Sequence, residues 1–318
     1  MLMSFKNARA LAWAVGGVLA LLVGMRPAHA VLPIEHWQQP HGAKVYLVSN
    51  PNLPMVDVQI DLDAGSRRDP ARQPGLASAA AGQLDSGVRA LPGGQGPQAQ
   101  ALDENQLGQA WADLGASFGA SVSADRLSFS LRSLSDPELL AKAAQLAARQ
   151  MAHPAFPVAV WRRDREKMVA ALRESLTRPG TVAAERYAQA VYSGHPYGWR
   201  STPETLQRIE VADMRRWHAQ ALRSCRAVVS VVGDVDRARA DALVSTLLAH
   251  WPQGSCEPLP AVAEVPALAT AQDIRVPFAS AQAHVLIGQP GHKRQDPDYF
   301  ALLLGNHILG GGGFTSRL

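Results

Sequence analysis

Two segments near the start of the chain alternate apolar and polar residues, Val-Tyr-Leu-Val over residues 45–48 and Val-Asp-Val-Gln-Ile-Asp-Leu over residues 56–62. A period of two puts alternate side chains on opposite faces, so both predict half-buried strands. Residues 75–84 are small and apolar and predict a buried helix. Residues 88–100, centred on Leu91-Pro-Gly-Gly-Gln-Gly-Pro97, predict a mobile surface loop. A helix over residues 104–114 and a strand pair over 116–122 and 126–131 follow. The next helix opens with Ser135-Asp136-Pro137-Glu138, where Ser and Asp can cap and Pro sits early enough to cost no hydrogen bond. Further helices are predicted over residues 157–176, 182–192 and 211–222. The apolar run Arg226-Ala-Val-Val-Ser-Val-Val232 then predicts a buried strand ended by Gly233-Asp234, with an amphipathic helix over 236–251. Strands on one side and helices packed over them make an α+β layer.

Past Ala261 the composition shifts to Pro, Ala and Glu, which predicts a linker, and the opening pattern then recurs. Strand 56–62, Gly65-Ser-Arg-Arg-Asp69-Pro70, an apolar helix and Gly87 are echoed by strand 283–287, Gly291-His-Lys-Arg-Gln-Asp296-Pro297, an apolar helix over 299–309 and Gly310. The shared order predicts an internal duplication at a spacing of roughly 225 residues; chance recurrence of a common strand-turn-helix unit remains the alternative. A duplicate starting near residue 263 would be incomplete, because a half-built sheet leaves edges and an apolar helix face uncovered. The expectation is therefore a fragment of a longer chain.

Composition narrows the class. The chain is 47% hydrophobic and 18% charged, which excludes global disorder. Lysine plus arginine minus acids gives 31 − 27 = +4, and three of those positives, Lys6, Arg9 and Arg26, lie in an acid-free stretch of thirty residues. The remainder is near 4 − 3 = +1 with scattered Arg, so no basic stripe suits a nucleic-acid partner. Lys6 and Arg9, a short apolar stretch and Pro27-Ala-His-Ala30 predict a signal peptide cleaved after Ala30 and a periplasmic or secreted product. A stable membrane anchor is disfavoured, since the stretch falls short of the roughly 20 residues a spanning helix needs. Two cysteines remain in an exported chain. Cys225 opens the strand and Cys256 follows the helix that runs back along it, so the two return to one level and predict a disulfide; two unpaired thiols are the alternative.

The candidate chemistry is sparse. None of the ten histidines has another four residues away, and His36 and His41 are five apart in a loop, so no helix offers a two-histidine metal clamp. There is no Gly-x-Ser-x-Gly elbow and no phosphate loop, and Gly93-Gly94-Gln-Gly96 precedes no strand-to-helix turn. His195-Pro-Tyr-Gly198 reads as a turn, and the four glycines Gly310, Gly311, Gly312 and Gly313, followed by Phe314, as a hinge or a close backbone approach.

In order, Gly65-Ser-Arg-Arg-Asp-Pro with Pro74-Gly-Leu-Ala77, Leu114-Gly-Ala-Ser-Phe118, Leu134-Ser-Asp-Pro137, His195-Pro-Tyr-Gly198, Val231-Val-Gly-Asp-Val-Asp236, Trp251-Pro252 and residues 310–318 resemble the pitrilysin/insulinase family of zinc metallopeptidases. The resemblance is to the bacterial two-subunit branch related to mitochondrial processing peptidase. It implies duplicated half-units, each a mainly antiparallel sheet with helices on one face, with residues 31–262 as the first and 263–318 as the start of a truncated second. Active members carry His-x-x-Glu-His after Gly-Leu-Ala, two zinc ligands around the general base. Here Ser78, Ala81 and Gly82 occupy the His, Glu and His positions. For the third ligand, a later Glu, the nearest candidate is Glu174, and a one-residue shift puts Arg173 there instead; a lone carboxylate does not hold zinc. The Asn-Ala that opens the family's substrate-pairing strand is replaced by Gly119-Ala120.

The resemblance thus implies no catalytic residue, metal ligand or cofactor in this chain. It implies an exported non-catalytic subunit that pairs with a zinc-bearing homologue to enclose and degrade peptides, with Gly310 to Gly313 and Phe314 in the chamber wall. The Arg and Tyr that such subunits use to hold peptide would lie beyond the Phe314-Thr-Ser-Arg-Leu318 match, and Arg317 belongs to the glycine motif instead. A stand-alone peptide-binding or assembly protein with the peptidase fold and no catalysis is the alternative.

Overall fold

Alternating strands and one-sided helices build the chain into two layers. The computed structural model describes residues 33–317 apart from 92, 95, 97 and 98, so the expected signal peptide lies outside the described residues. The chain divides into residues 1–35 and 36–318, and the elements below belong to the second unit except for the first residue of β1. Strands β1 (Glu35–Gln38), β2 (Lys44–Ser49) and β3 (Met55–Leu62) lead through a tight turn into helix α1 (Leu76–Gly82). A short ribbon, β4 (Gly87–Val88) with β5 (Leu102–Asp103), precedes α2 (Glu104–Asp113). The hairpin of β6 (Ser117–Val122) and β7 (Leu127–Leu134) is followed by α3 (Pro137–Ala152), α4 (Val158–Ser175), α5 (Pro179–Val191), α6 (Pro203–Gln207) and α7 (Val211–Ala221). Strand β8 (Val228–Gly233) and α8 (Arg237–Leu247) come next, and α9 (Tyr299–Asn306) stands far along the tail.

Six strands form one sheet in the order β1-β2-β8-β3-β7-β6. Strands β2 and β8 run parallel; β8 with β3, β3 with β7 and β7 with β6 are antiparallel. Register lines up rows of apolar side chains across the strands: Leu47, Val231, Val58, Leu131 and Phe118 form one, and Val45, Val229, Ile60, Phe129 and Ala120 the next. Helix α3 covers these rows with Leu140, Ala143, Ala144, Ala147 and Met151, a spacing that keeps one apolar stripe on the sheet. The opposite face is polar, with Arg132 Nε bonded to Asp57 Oδ1 at 2.6 Å across the strands. Asp136 caps α3 as expected, accepting from the amides of Glu138 and Leu139 at 3.0 Å.

The stretch expected as a surface loop is tied at its base, where β4 and β5 pair, Leu91 N donates to Ala99 O at 2.9 Å and the Arg149 guanidinium bonds the carbonyls of Arg89 and Gln100. One expectation changes. Residues 283–287 form no strand: Val285 is 78% and Ile287 92% exposed, and no described strand lies alongside to complete a ladder. A lone extended segment has no inter-strand hydrogen bonds to hold it as a strand. The apolar helix of the same stretch does form, as α9, since a helix satisfies its backbone internally.

Cys225, in the turn before β8, and Cys256, beyond α8, are disulfide-bonded with Cα atoms 6.0 Å apart and a sequence separation of 31. Closing a loop of that length removes about 3.5 kcal/mol of unfolded-state entropy. Cys225→Ala with Cys256→Ala is therefore expected to lose about 2–4 kcal/mol of stability in urea unfolding. Unchanged stability would contradict this account.

Candidate functional site

Helix α1 carries the positions at which the sequence predicts missing ligands, and its mounting is fully built. Gly75 at its N-cap sits at φ 103°, where a side chain is strained, and a Cβ there would lie 2.4 Å from Ser201 Oγ. With no cap side chain at that position, Asp69 supplies one from below: its Oδ2 accepts from Gly75 N at 2.7 Å and its Oδ1 from Ala77 N at 2.9 Å. Asp69 is buried, and burial pushes its carboxyl up to about 6 against the downward pull of the Ala77, Gly75 and Leu76 amides.

Leu76, Ala77, Ala79, Ala80 and Ala81 are buried, and the helix packs against α7 and β6. Ser78 and Gly82 are exposed, four residues apart and hence on one face. A Cβ at Gly82 would meet nothing within 4 Å. The helix therefore presents the spacing of a two-ligand clamp into open space, occupied by a hydroxyl and a hydrogen.

Glu174 lies at the far end of α4, exposed, with its carboxylate paired to Arg178 at 3.0 Å. The α4 residue that does reach the end of α1 is Asp164, which accepts from Gln83 Nε2 at 2.9 Å. The hydrogen bond from the Arg163 guanidinium holds the Asp164 carboxyl below its usual range. Among the described residues no group of three or more His, Cys, Asp or Glu is placed to hold a metal ion.

The motif residues frame this helix. A Cβ on Gly65 would lie 2.3 Å from the Asp125 carbonyl carbon, and the amides of Gly65, Ser66 and Arg67 donate to the carbonyls of Asp125, Ser123 and Ala124 in the β6–β7 turn. Arg67 Nη1 reaches Asp125 Oδ1 at 2.7 Å, and Tyr197 Oη donates to the same oxygen at 2.7 Å. Arg67 and Arg68 both pair with Asp63, at 2.9 and 2.6 Å, which keeps that carboxyl low. Glycine, arginines and tyrosine here lock the β6–β7 hairpin beside α1.

Gly119 and Ala120 lie on β6, which closes the sheet with no described strand beyond it. Phe118 stacks between Trp111 and Phe129, with centroids 5.5 and 6.1 Å away, and stiffens this edge. An edge strand offers a row of outward amides and carbonyls to an extended peptide. The glycine motif lies elsewhere in the tail. Gly310 and Gly311 end a π-helical turn after α9, and Gly313, at φ 58°, opens the short turn that contains Phe314. Arg317 N closes it onto Ile308 O at 3.2 Å, and its packing is against α9.

Sequence reasoning did not single out Asp69, Asp125 or Tyr197 as framing residues. The only signal was that Asp69 and Tyr197 sit inside the quoted motifs: pairings of Arg67 over 58 and 130 positions leave no local pattern, and the Asp69 bonds over six and eight residues match no helix or strand period.

Residues 208–318 match the family described as Peptidase M16 inactive domain. Among solved structures, the peptidase M16 inactive domain from Pseudomonas fluorescens is 30% identical with a TM-score of 0.75, over 90% of this chain and 66% of that one. The periplasmic protease PqqL from Escherichia coli is 14% identical with a TM-score of 0.62, over 75% of this chain and 26% of its own. Pitrilysin is 20% identical with a TM-score of 0.59, over 74% and 24%. The last two likenesses are of fold alone. No curated protein matches the sequence.

Proposed function

We propose that this chain, which belongs to the pitrilysin-type (M16) peptidase family as a non-catalytic member, is an exported subunit that pairs with a zinc-bearing homologue and holds peptide for it. One observation carries the reading: α1 keeps its cap, its packing and its place beside an open sheet edge, while Ser78, Ala81 and Gly82 supply neither metal ligand nor general base. Its contribution would be positional. A peptide adding as a strand to β6 would gain main-chain hydrogen bonds and present its scissile bond to the partner's metal. In this reading residues 31–262 are the first half-unit and 263–318 begin a second, with Gly310 to Phe314 in the chamber wall.

Export is supported by the signal-like residues 1–30 and by the disulfide. PqqL is likewise a periplasmic protein.

The test is a tagged pull-down of the chain from native periplasm, with zinc analysis and a quenched-peptide assay on the eluate. The expected result is a homologue bearing His-x-x-Glu-His, about one zinc per pair and peptide cleavage, with the isolated chain metal-free. Stoichiometric zinc in the isolated chain would sink the reading. Elution alone, metal-free and inactive but with peptide bound, would replace it with the stand-alone binding protein.

A further inference from the structure

The stretch after the disulfide has two regularities with the same period. Cys256, Leu259, Val262 and Val265 are half-buried while every residue between them is exposed. On the same segment the carbonyls of Glu257, Pro260 and Ala263 are taken by three side chains: Arg226 Nη2 at 2.9 Å, Arg68 Nη1 at 3.0 Å and His195 Nε2 at 2.9 Å. His195 Nδ1 accepts from Tyr197 N at 3.1 Å, so Nε2 carries the proton and donates. No backbone-to-backbone hydrogen bond is recorded within this segment.

A three-residue repeat without internal hydrogen bonds is the polyproline-II helix, in which every third side chain falls on one face and the carbonyls stay free for outside donors. Pro258 and Pro260 fix φ and remove amides that a strand would need. We propose that residues 256–265 are an ordered polyproline-II strap, locked at its start by the Cys225–Cys256 disulfide and read along its length by Arg226, Arg68 and His195. The strap sets where the chain beyond Val265 leaves the first half-unit. It also gives a job to Arg68 and His195, motif residues retained in a chain whose catalytic positions are changed: Arg68 lies in the turn that carries Asp69, and His195 in the turn that carries Tyr197. Their turns frame α1, so the tail is tied to that frame. A composition that reads as linker thus forms a fixed spacer. This inference stands apart from any zinc-bearing partner.

The test is limited digestion of the full chain with elastase, which cuts after small aliphatic residues, with cleavage sites mapped by mass spectrometry. Residues 266–287, exposed and outside the clasp, are the internal reference, and a synthetic peptide of residues 253–267 is the unclasped control. In oxidised wild type, bonds 257–265 are expected to be cut at least tenfold more slowly than in the peptide. Arg226→Ala, a change outside the core, should raise that rate on the order of fivefold at unchanged melting temperature. Reduction by a dithiol should raise it further. Cutting of wild type at the peptide's rate would overturn the strap, as would protection that survives Arg226→Ala combined with Cys225→Ser and Cys256→Ser in a chain that still melts cooperatively.

Discussion

Gly233→Ala is expected to cost this protein about 4 kcal/mol or more of stability, with a large drop in melting temperature and soluble yield. Gly233 ends β8 at φ +140°, and a Cβ there would stand 2.1 Å from Met55 O and 2.9 Å from Val56 Cα. Both atoms are main chain of β3, which is paired on either side by β8 and β7, so neither can step aside. The same glycine accepts from Asn50 N at 2.8 Å, so moving it also loosens β2. Backbone strain plus a lost ladder contact exceeds about 4 kcal/mol, a large share of the 5–15 kcal/mol that holds an ordinary domain. Gly82→Ala is the control. Nothing lies within 4 Å of its Cβ, and in a helix the change should gain about 0.5–1 kcal/mol. Soluble yield and thermal melting by circular dichroism measure both. A Gly233→Ala protein melting within a few degrees of wild type would contradict the close approach of β8 to β3.

Between pH 4 and 6.5 the wild-type stability curve is expected to be nearly flat because two buried groups oppose each other. The Asp69 carboxyl, normally near 3.8, is raised to about 6 by burial. The folded state therefore holds its proton more tightly, and about 3 kcal/mol of stability present below pH 3.8 is lost as pH rises through 6. His218, normally near 6.5, is buried beside Met151 O at 2.7 Å and lowered to about 4. Its stability, also about 3 kcal/mol, is complete above pH 6.5 and lost as pH falls through 4. Burial of Asp85 adds to the first trend; His153, lowered by burial and by its neighbour His250, adds to the second.

Separating the two should expose each. His218→Gln keeps a donor for Met151 O and should grow more stable as pH falls; Asp69→Asn should grow less stable over the same range. The two slopes are expected to diverge by about 6 kcal/mol across the window. Urea unfolding at half-unit pH steps gives the comparison. Parallel slopes in the two variants would show that these groups do not govern the acid response.

Legibility followed locality. The strand over residues 56–62 and the helix opened by Asp136 were readable because period-two alternation and a cap followed by proline act within a few residues. The placement of Ser78 and Gly82 on one exposed helical face was readable in the same way, from a spacing of four. Residues 283–287 show the limit: an apolar run becomes a strand only when another strand lies beside it, and none does among the described residues. The Pro-rich stretch after Cys256 shows the converse, since composition suggests a linker while donors from residues 68, 195 and 226 hold it in register.

By itself the sequence determined the order and type of most elements and the near-neutral charge of the chain past residue 30, both properties of short windows or simple counts. The tertiary structure alone decided that Asp69 caps α1 from a preceding turn, that Arg67, Asp125 and Tyr197 share one network and that β6 has no described strand beyond it where it packs on α1. The network joins groups 58 to 130 positions apart, and the Asp69 cap, though only six to eight residues long, follows no helix or strand period, so its energy depends on burial and angle that no local pattern of residues encodes.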